Sequence, residues 1–180
     1  WINEIGRLAI GILSGVILLG FAHRLQKEYK TFSSILVSGA IVVFYFTIAI
    51  GFKQYHTFSQ TVAFILMVII TIFSVLISIL YDRKELGILS LIGAFAVPLM
   101  VSNGAGNYIF LFTYLLIIDI GFLIVSLNRK WLIVNILSFV FTHIFLFYWI
   151  ISQPLNSVNS IHLLVFASLF YLTYYIVNII

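Results

Sequence analysis

Apolar runs about twenty residues long, parted by brief polar turns, recur seven times along the chain. They cover roughly Ile5–Ala22, Ser33–Phe52, Thr61–Leu80, Leu86–Val101, Tyr108–Leu127, Trp131–Ile151 and Ile161–Ile180. At about 1.5 Å per residue, twenty helical residues reach about 30 Å, the thickness of a bilayer's hydrocarbon core. The pattern therefore predicts an all-α polytopic transmembrane helix bundle of seven crossings joined by short turns. Such short connections make successive helices antiparallel neighbours. The fourth run is the shortest. It spans only with help from its flanks, or it ends early at Pro98, a residue that removes a backbone donor.

Within the runs, small polar residues recur at spacings of three and four, which places them on one helix face. The stripes are Ser34/Ser38/Tyr45, Thr71/Ser74/Ser78 leading to Asp82, Asn135/Ser138/Thr142 and Ser168/Tyr171/Tyr175/Asn178. In lipid such residues mark helix–helix contacts, where close backbones and interhelical hydrogen bonds replace the missing hydrophobic drive. A stripe lining a hydrophilic pathway is the other reading. Gly11 and Gly15 match the GxxxG spacing of close helix approach. A faint repeat accompanies the turns: a basic turn, then a helix with small residues, at Ser34/Ser38/Gly39, at Ser90/Gly93/Ala94 and at Ser138/Thr142.

Composition agrees with a membrane chain. Of 180 residues 63% are hydrophobic and only 8% charged, against about 25% charged in a soluble domain. The net charge of +4 does not point to nucleic acid, because no Lys/Arg run exceeds two residues and the cations sit at helix ends. The partners expected are the lipid bilayer, the remaining helices of a parent protein or other membrane subunits. The absence of cysteine removes disulfides, iron–sulfur clusters, thiolate metal sites and Cys nucleophiles.

Charge placement supplies an orientation. Alternate turns hold Arg24, Lys27, Lys30, Arg83, Lys84, Arg129 and Lys130, seven of the nine basic residues, while Arg7 and Lys53 lie at the opposite ends. Cytoplasmic turns carry the excess of Lys and Arg, so the N-terminus is expected outside and the C-terminus inside. Tyr29, Tyr81 and Trp131 then anchor the inner boundary, and Trp1, Tyr55, Tyr108 and Trp149 the outer one. With an apolar run reaching Ile180 and no leader at Trp1, the chain reads as one transmembrane domain, residues 1–180, cut from a longer multi-pass protein.

Candidate chemistry begins at Asp119, twelfth in its run and near mid-membrane. A charged Asp there costs about 2.5–3.5 kcal/mol on insertion scales. It must turn into the bundle, and its face at three- and four-residue steps holds Phe112, Leu115, Leu116, Phe122, Leu123 and Ser126. One reading makes it a proton- or cation-coupled site. The other makes it a neutral group that hydrogen-bonds a neighbouring helix. His143, in the next run, differs in depth by about 6 Å at helical rise and is a candidate partner. A Ser, Thr or Tyr hydroxyl is another, and His143 bonded to a backbone carbonyl is the plainer expectation. Pro98 would leave the Ala94 carbonyl without its helical donor. The turn Asn103-Gly104-Ala105-Gly106-Asn107 offers Asn103, Gly104, Gly106 and Asn107 as an outer candidate: an anion-binding turn ahead of a helix N-terminus, or simply Asn107 as an N-cap. It lacks the Lys and Ser/Thr of a P-loop. His23, His56, His143 and His162 show no metal-ligand spacing, and no Ser–His–Asp arrangement is legible. No catalytic residue, metal site or cofactor is assigned.

The segments Ser38-Gly39-Ala40 through Thr47, Tyr81-Asp82 with Gly87 to Leu99, Ser102 to Asn107, and Tyr114-Leu115-Leu116 with Asp119 and Gly121 together resemble the bacterial multi-pass proteins of domain-of-unknown-function family 2339. The likeness runs from Trp1 to about Trp149. It implies a longer parent with further helices and the bacterial cytoplasmic (inner) membrane, and it brings no activity. Three functional classes follow: a transporter-like module for a small solute or lipid, a non-catalytic scaffold for envelope assembly, and a membrane-embedded transferase. The last is disfavoured, because no outer cluster of Asp, Glu and His is present.

Overall fold

The structure, a computed structural model, describes residues 2–102, 108–152 and 157–179. Those residues form seven α-helices: α1 (Glu4–Leu25), α2 (Lys30–Lys53), α3 (Gln60–Tyr81), α4 (Lys84–Val101), α5 (Tyr108–Arg129), α6 (Leu132–Ser152) and α7 (Ser157–Ile179). Six of them, α1 to α6, are long and apolar enough to cross a membrane. In α7 the described apolar stretch, Ser160–Ile176, falls short of that length. The expectation of seven crossings is thus met by seven helices and six spans.

Most helices run a few residues past their apolar runs, because polar residues can complete a helical turn once it leaves hydrocarbon. The starts are capped where the sequence allows it. The Asn3 side chain accepts from the Gly6 N–H at 2.8 Å, and Ser59 accepts from Val62, each satisfying a donor with no partner inside the helix. Helix α4 continues beyond Pro98 to Val101. Proline removes one bond but leaves the last turn intact so close to a helix end. Side chains from elsewhere cap the carbonyls there: Lys53 Nζ donates to the Leu99 carbonyl at 3.3 Å, and Gln60 Nε2 to that of Val101 at 3.0 Å.

The chain divides into two compact units, Trp1–Asn103 and Gly104–Ile180. In the first, α2 packs against α1, α3 and α4. The GxxxG face of α1 meets α2 directly. A Cβ at Gly11 would run into Thr47, and one at Gly15 into the Phe44 ring. The buried Ser33 hydroxyl donates to the Ala22 carbonyl across the same pair at 2.7 Å. The Tyr45 ring from α2 lies over Gly93 of α4, where a Cβ would sit 2.6 Å from a ring carbon. Its hydroxyl reaches Thr71 Oγ1 on α3 at 2.6 Å. Ser74 and Ser90 join their hydroxyls between α3 and α4. The small and hydroxyl residues of these stripes thus serve helix contact.

In the second unit α5 packs against both α6 and α7. Its buried face is Phe112, Tyr114, Leu115, Asp119, Phe122, Leu123 and Ser126. Trp149 is buried against Tyr108 and Phe112, with ring centroids 5.0 and 5.6 Å away. Trp131 is buried in the α5–α6 turn. Both tryptophans keep their places at helix ends, but they pack against protein instead of facing the bilayer surface.

The hairpins α3–α4 and α5–α6 share a frame. Helices α3 and α5 are both 22 residues long, and their starts lie 48 residues apart, as do those of α4 and α6. The turns between them place Asp82 and Lys130, also 48 apart, in the left-handed region with φ 49° and 56°. In each turn the next residue's N–H reaches back to a serine carbonyl at 3.1 Å, Arg83 to Ser78 and Trp131 to Ser126, the bond that closes a helix C-terminus. The α1–α2 turn has no positive-φ residue. The matching frame thus joins two of the three hairpins that carry the faint sequence pattern.

Candidate functional site

Asp119 lies midway along α5 and is fully buried. Its two closest hydrogen bonds come from α6, and Tyr174 of α7 interacts with it as well. Ser138 Oγ donates to Oδ1, and Thr142 Oγ1 donates to Oδ2 at 2.7 Å. Ser138 and Thr142 are four residues apart, so a helix presents both hydroxyls on one face. A carboxyl has two oxygens side by side, and this pair of donors serves both. Tyr174 of α7, also buried, closes the group with its hydroxyl 2.9 Å from Ser138 Oγ. Because Ser138 has a single proton and gives it to Asp119, Tyr174 is the donor in that contact. The chain of donation runs from Tyr174 to Ser138 to Asp119, joining three helices. Among the described residues no buried side-chain nitrogen or oxygen lacks a partner.

A helical Thr or Ser commonly donates to the carbonyl four residues back, as Thr47, Thr71 and Thr173 do in this chain. Ser138 and Thr142 instead turn their hydroxyls to the carboxyl of Asp119.

His143 takes the plainer of its expected roles. Its Nδ1 sits 2.8 Å from the Phe139 carbonyl one turn earlier, and its ring packs on Phe139 at 4.0 Å. Among the described residues no hydrogen bond joins it to Asp119. A half-buried His143 and the buried Tyr174 share a groove of ≈ 410 Å³ with Phe139, Tyr171 and Tyr175. The donation chain from Asp119 therefore ends at a residue that lines an open, mostly aromatic groove within the second unit.

The family model for predicted membrane proteins, DUF2339, matches residues 1–180. The chain belongs to this family. No curated protein and no solved structure matches it. Membership in DUF2339 agrees with the multiple apolar helices and carries no activity, so the chemistry rests on the residues themselves.

The other candidates in this DUF2339 chain fall apart from the carboxyl. Pro98 is held inside α4 in the first unit. Asn103, Gly104, Gly106 and Asn107 lie outside the described residues. His162 Nδ1 bonds the Tyr108 hydroxyl at 2.9 Å in the second unit, and His56 takes a left-handed turn conformation in the first. Among the described residues no three His, Asp or Glu side chains gather as a metal site.

Tyr174 is the site residue that sequence spacing missed. Periodicity puts Ser168/Tyr171/Tyr175/Asn178 on one polar face of α7, yet Tyr171 and Tyr175 are 67% and 51% exposed. Phe170 and Tyr174 are the buried pair. Their spacing of four, with the aromatic ring ahead of the hydroxyl, was the available signal.

Proposed function

We propose that this chain is a transporter-like module for a small solute or lipid, with Asp119 as its proton-responsive group. The orientation that charge placement favours puts the N-terminus outside, the C-terminus inside and seven crossings in the bacterial cytoplasmic membrane. The observation that carries the reading is the donation chain Tyr174–Ser138–Asp119, ending at the groove beside His143. Ionisable groups within membrane helices mark ion and substrate pathways by default. A carboxyl held by hydroxyls, each able to donate or to accept, suits a group that cycles between two forms.

A second reading, a non-catalytic scaffold for envelope assembly, draws support from the same contacts. Both carboxyl oxygens are satisfied, which is what a structural clamp between helices requires.

Substitution separates the two. The protein is reconstituted into proteoliposomes, a proton gradient is imposed, and uptake of labelled small solutes and lipids is followed. Transport that Asp119→Asn abolishes, in a protein that remains folded, supports proton coupling. A fold that loses stability with Asp119→Leu but works unchanged with Asp119→Asn supports the clamp and overturns the transport role of the carboxyl.

A further inference from the structure

The basic end of the first unit holds a concavity of ≈ 390 Å³ lined by Lys27, Lys30 and Arg83, with Gln26, Leu80 and Tyr81 among its walls. These positions belong to four chain segments: the turn after α1, the first residue of α2, the end of α3 and the turn before α4. Folding gathers them, since the cations are spread over 57 positions of sequence. No acidic residue lines the groove. Among the described residues, no hydrogen bond or ion pair engages the side chains of Lys27, Lys30 or Arg83.

Three cations that line one hollow repel each other, and an anion between them removes that cost. The level of the site narrows the anion. Each lining residue lies at or near a helix end, and helices of spanning length end at headgroup depth. Part of the lining is apolar: Leu80 is 77% exposed, and Tyr81 has an apolar body with a polar tip. A soluble anion gains nothing from such a wall, whereas a lipid can lay its first methylenes on it. Basic pockets between helix ends are a known mode of binding for acidic headgroups.

We infer that the hollow formed by Lys27, Lys30 and Arg83 is a binding site for the phosphate-bearing headgroup of an anionic lipid. The cations hold the phosphate, and Leu80 and Tyr81 receive the start of the acyl region. This site is independent of Asp119, which belongs to the other unit.

The test uses the purified full chain in nanodiscs that contain phosphatidylcholine alone or with added phosphatidylglycerol or cardiolipin. Retained lipid is measured by native mass spectrometry after release into detergent. The wild type is expected to retain the anionic lipid in preference to phosphatidylcholine. Each of Lys27→Gln, Lys30→Gln and Arg83→Gln is expected to weaken that preference about fivefold, the equivalent of about 1 kcal/mol per cation. Lys30→Arg, which keeps the charge, is expected to retain it. The control pair Arg24→Gln and Lys84→Gln removes two cations from the same end outside the hollow and should leave the preference nearly intact. An equal loss from that pair would show diffuse attraction and overturn the site. Inorganic phosphate added as a competitor separates the sources: displacement of the lipid at millimolar phosphate would make a soluble phosphate the ligand and overturn the lipid assignment. Circular dichroism on each variant excludes misfolding as the cause of a loss.

Discussion

The hairpins α3–α4 and α5–α6 have matching helix starts, a left-handed residue at the matching turn position and a serine carbonyl closing the turn, yet they hold different chemistry at matching places. Thr71 stands in the first where Asp119 stands in the second, 48 residues on, and both are buried. Ser90 and Ser138 correspond in the same way and both are buried. The difference lies one turn later, where Ala94 corresponds to Thr142. Ser90 and Ala94 present one hydroxyl, and Ser90 is joined to Ser74. Ser138 and Thr142 present two, one for each oxygen of a carboxyl. A tyrosine from a third helix completes each cluster, Tyr45 on Thr71 and Tyr174 on Ser138. One backbone frame thus serves as plain interhelical glue in the first unit and as a carboxyl site in the second, according to how many donors face the central position.

Exchanging the central residues is the severest challenge to that comparison. Thr71→Asp places a carboxyl where Tyr45 and the Met67 carbonyl are the neighbours and Ala94 offers no donor. With the Tyr45 hydroxyl as donor and none from Ala94, it should cost up to about 2.5–3.5 kcal/mol, the insertion penalty of an unsupported Asp. Unfolding in mixed micelles measures it. A cost near zero would mean that the donor pair is not what admits the carboxyl at position 119.

Asp119→Leu should destabilise by about 1–3 kcal/mol, because Ser138 and Thr142 lose the carboxyl that accepts from them in a fully buried site. Asp119→Asn should cost far less, since an amide still pairs with hydroxyls that can rotate. The same micelle unfolding assay ranks the two, and equal losses would contradict the hydrogen-bonding role.

Gly93→Leu tests the first unit's packing. Its side chain would enter the Tyr45 ring, and overpacking costs about 1–3 kcal/mol. The substitution should also break the Tyr45–Thr71 bond, so adding Thr71→Val to it should cost little more. Full additivity of the pair would separate the ring contact from the bond.

The smallest effects expected are those of Ser90→Ala and Thr142→Val. Single interhelical hydrogen bonds in membranes average about 0.6 kcal/mol and reach about 1.7. Thr142→Val should lie toward the upper end, because it removes a bond to a carboxyl, and Ser90→Ala toward the mean. The reverse order would weaken the contrast between the two hairpins.

Much of the architecture was legible in the sequence because hydrocarbon imposes length. Runs of about twenty apolar residues fixed the first six spans and the positions of the turns. The inward face of α5 was legible as well, since a carboxyl in lipid must turn toward protein, and six of its seven buried residues lie on the face drawn from Asp119. Other features were hidden for physical reasons. Lipid is as apolar as a helix interior, so hydropathy does not tell a buried face from a lipid-facing one, and the exposed Tyr171/Tyr175 stripe outweighed Phe170 and Tyr174. Pro98 marked a helix end because its missing donor is read locally, whereas Lys53 and Gln60, which cap the last carbonyls of α4, come from distant sequence. Asp82 and Lys130 in left-handed turns were not foreseen, as neither is the glycine that usually marks that conformation.

The most direct measurement of the central account is the infrared signature of the Asp119 carboxyl in the reconstituted protein, isolated by subtracting the Asp119→Asn spectrum. Two independent hydrogen bonds predict that Ser138→Ala and Thr142→Val each shift the carboxyl band, that the double variant shifts it further, and that His143→Ala leaves it in place. A band that ignores both hydroxyl substitutions, or that moves with His143→Ala alone, would contradict the account.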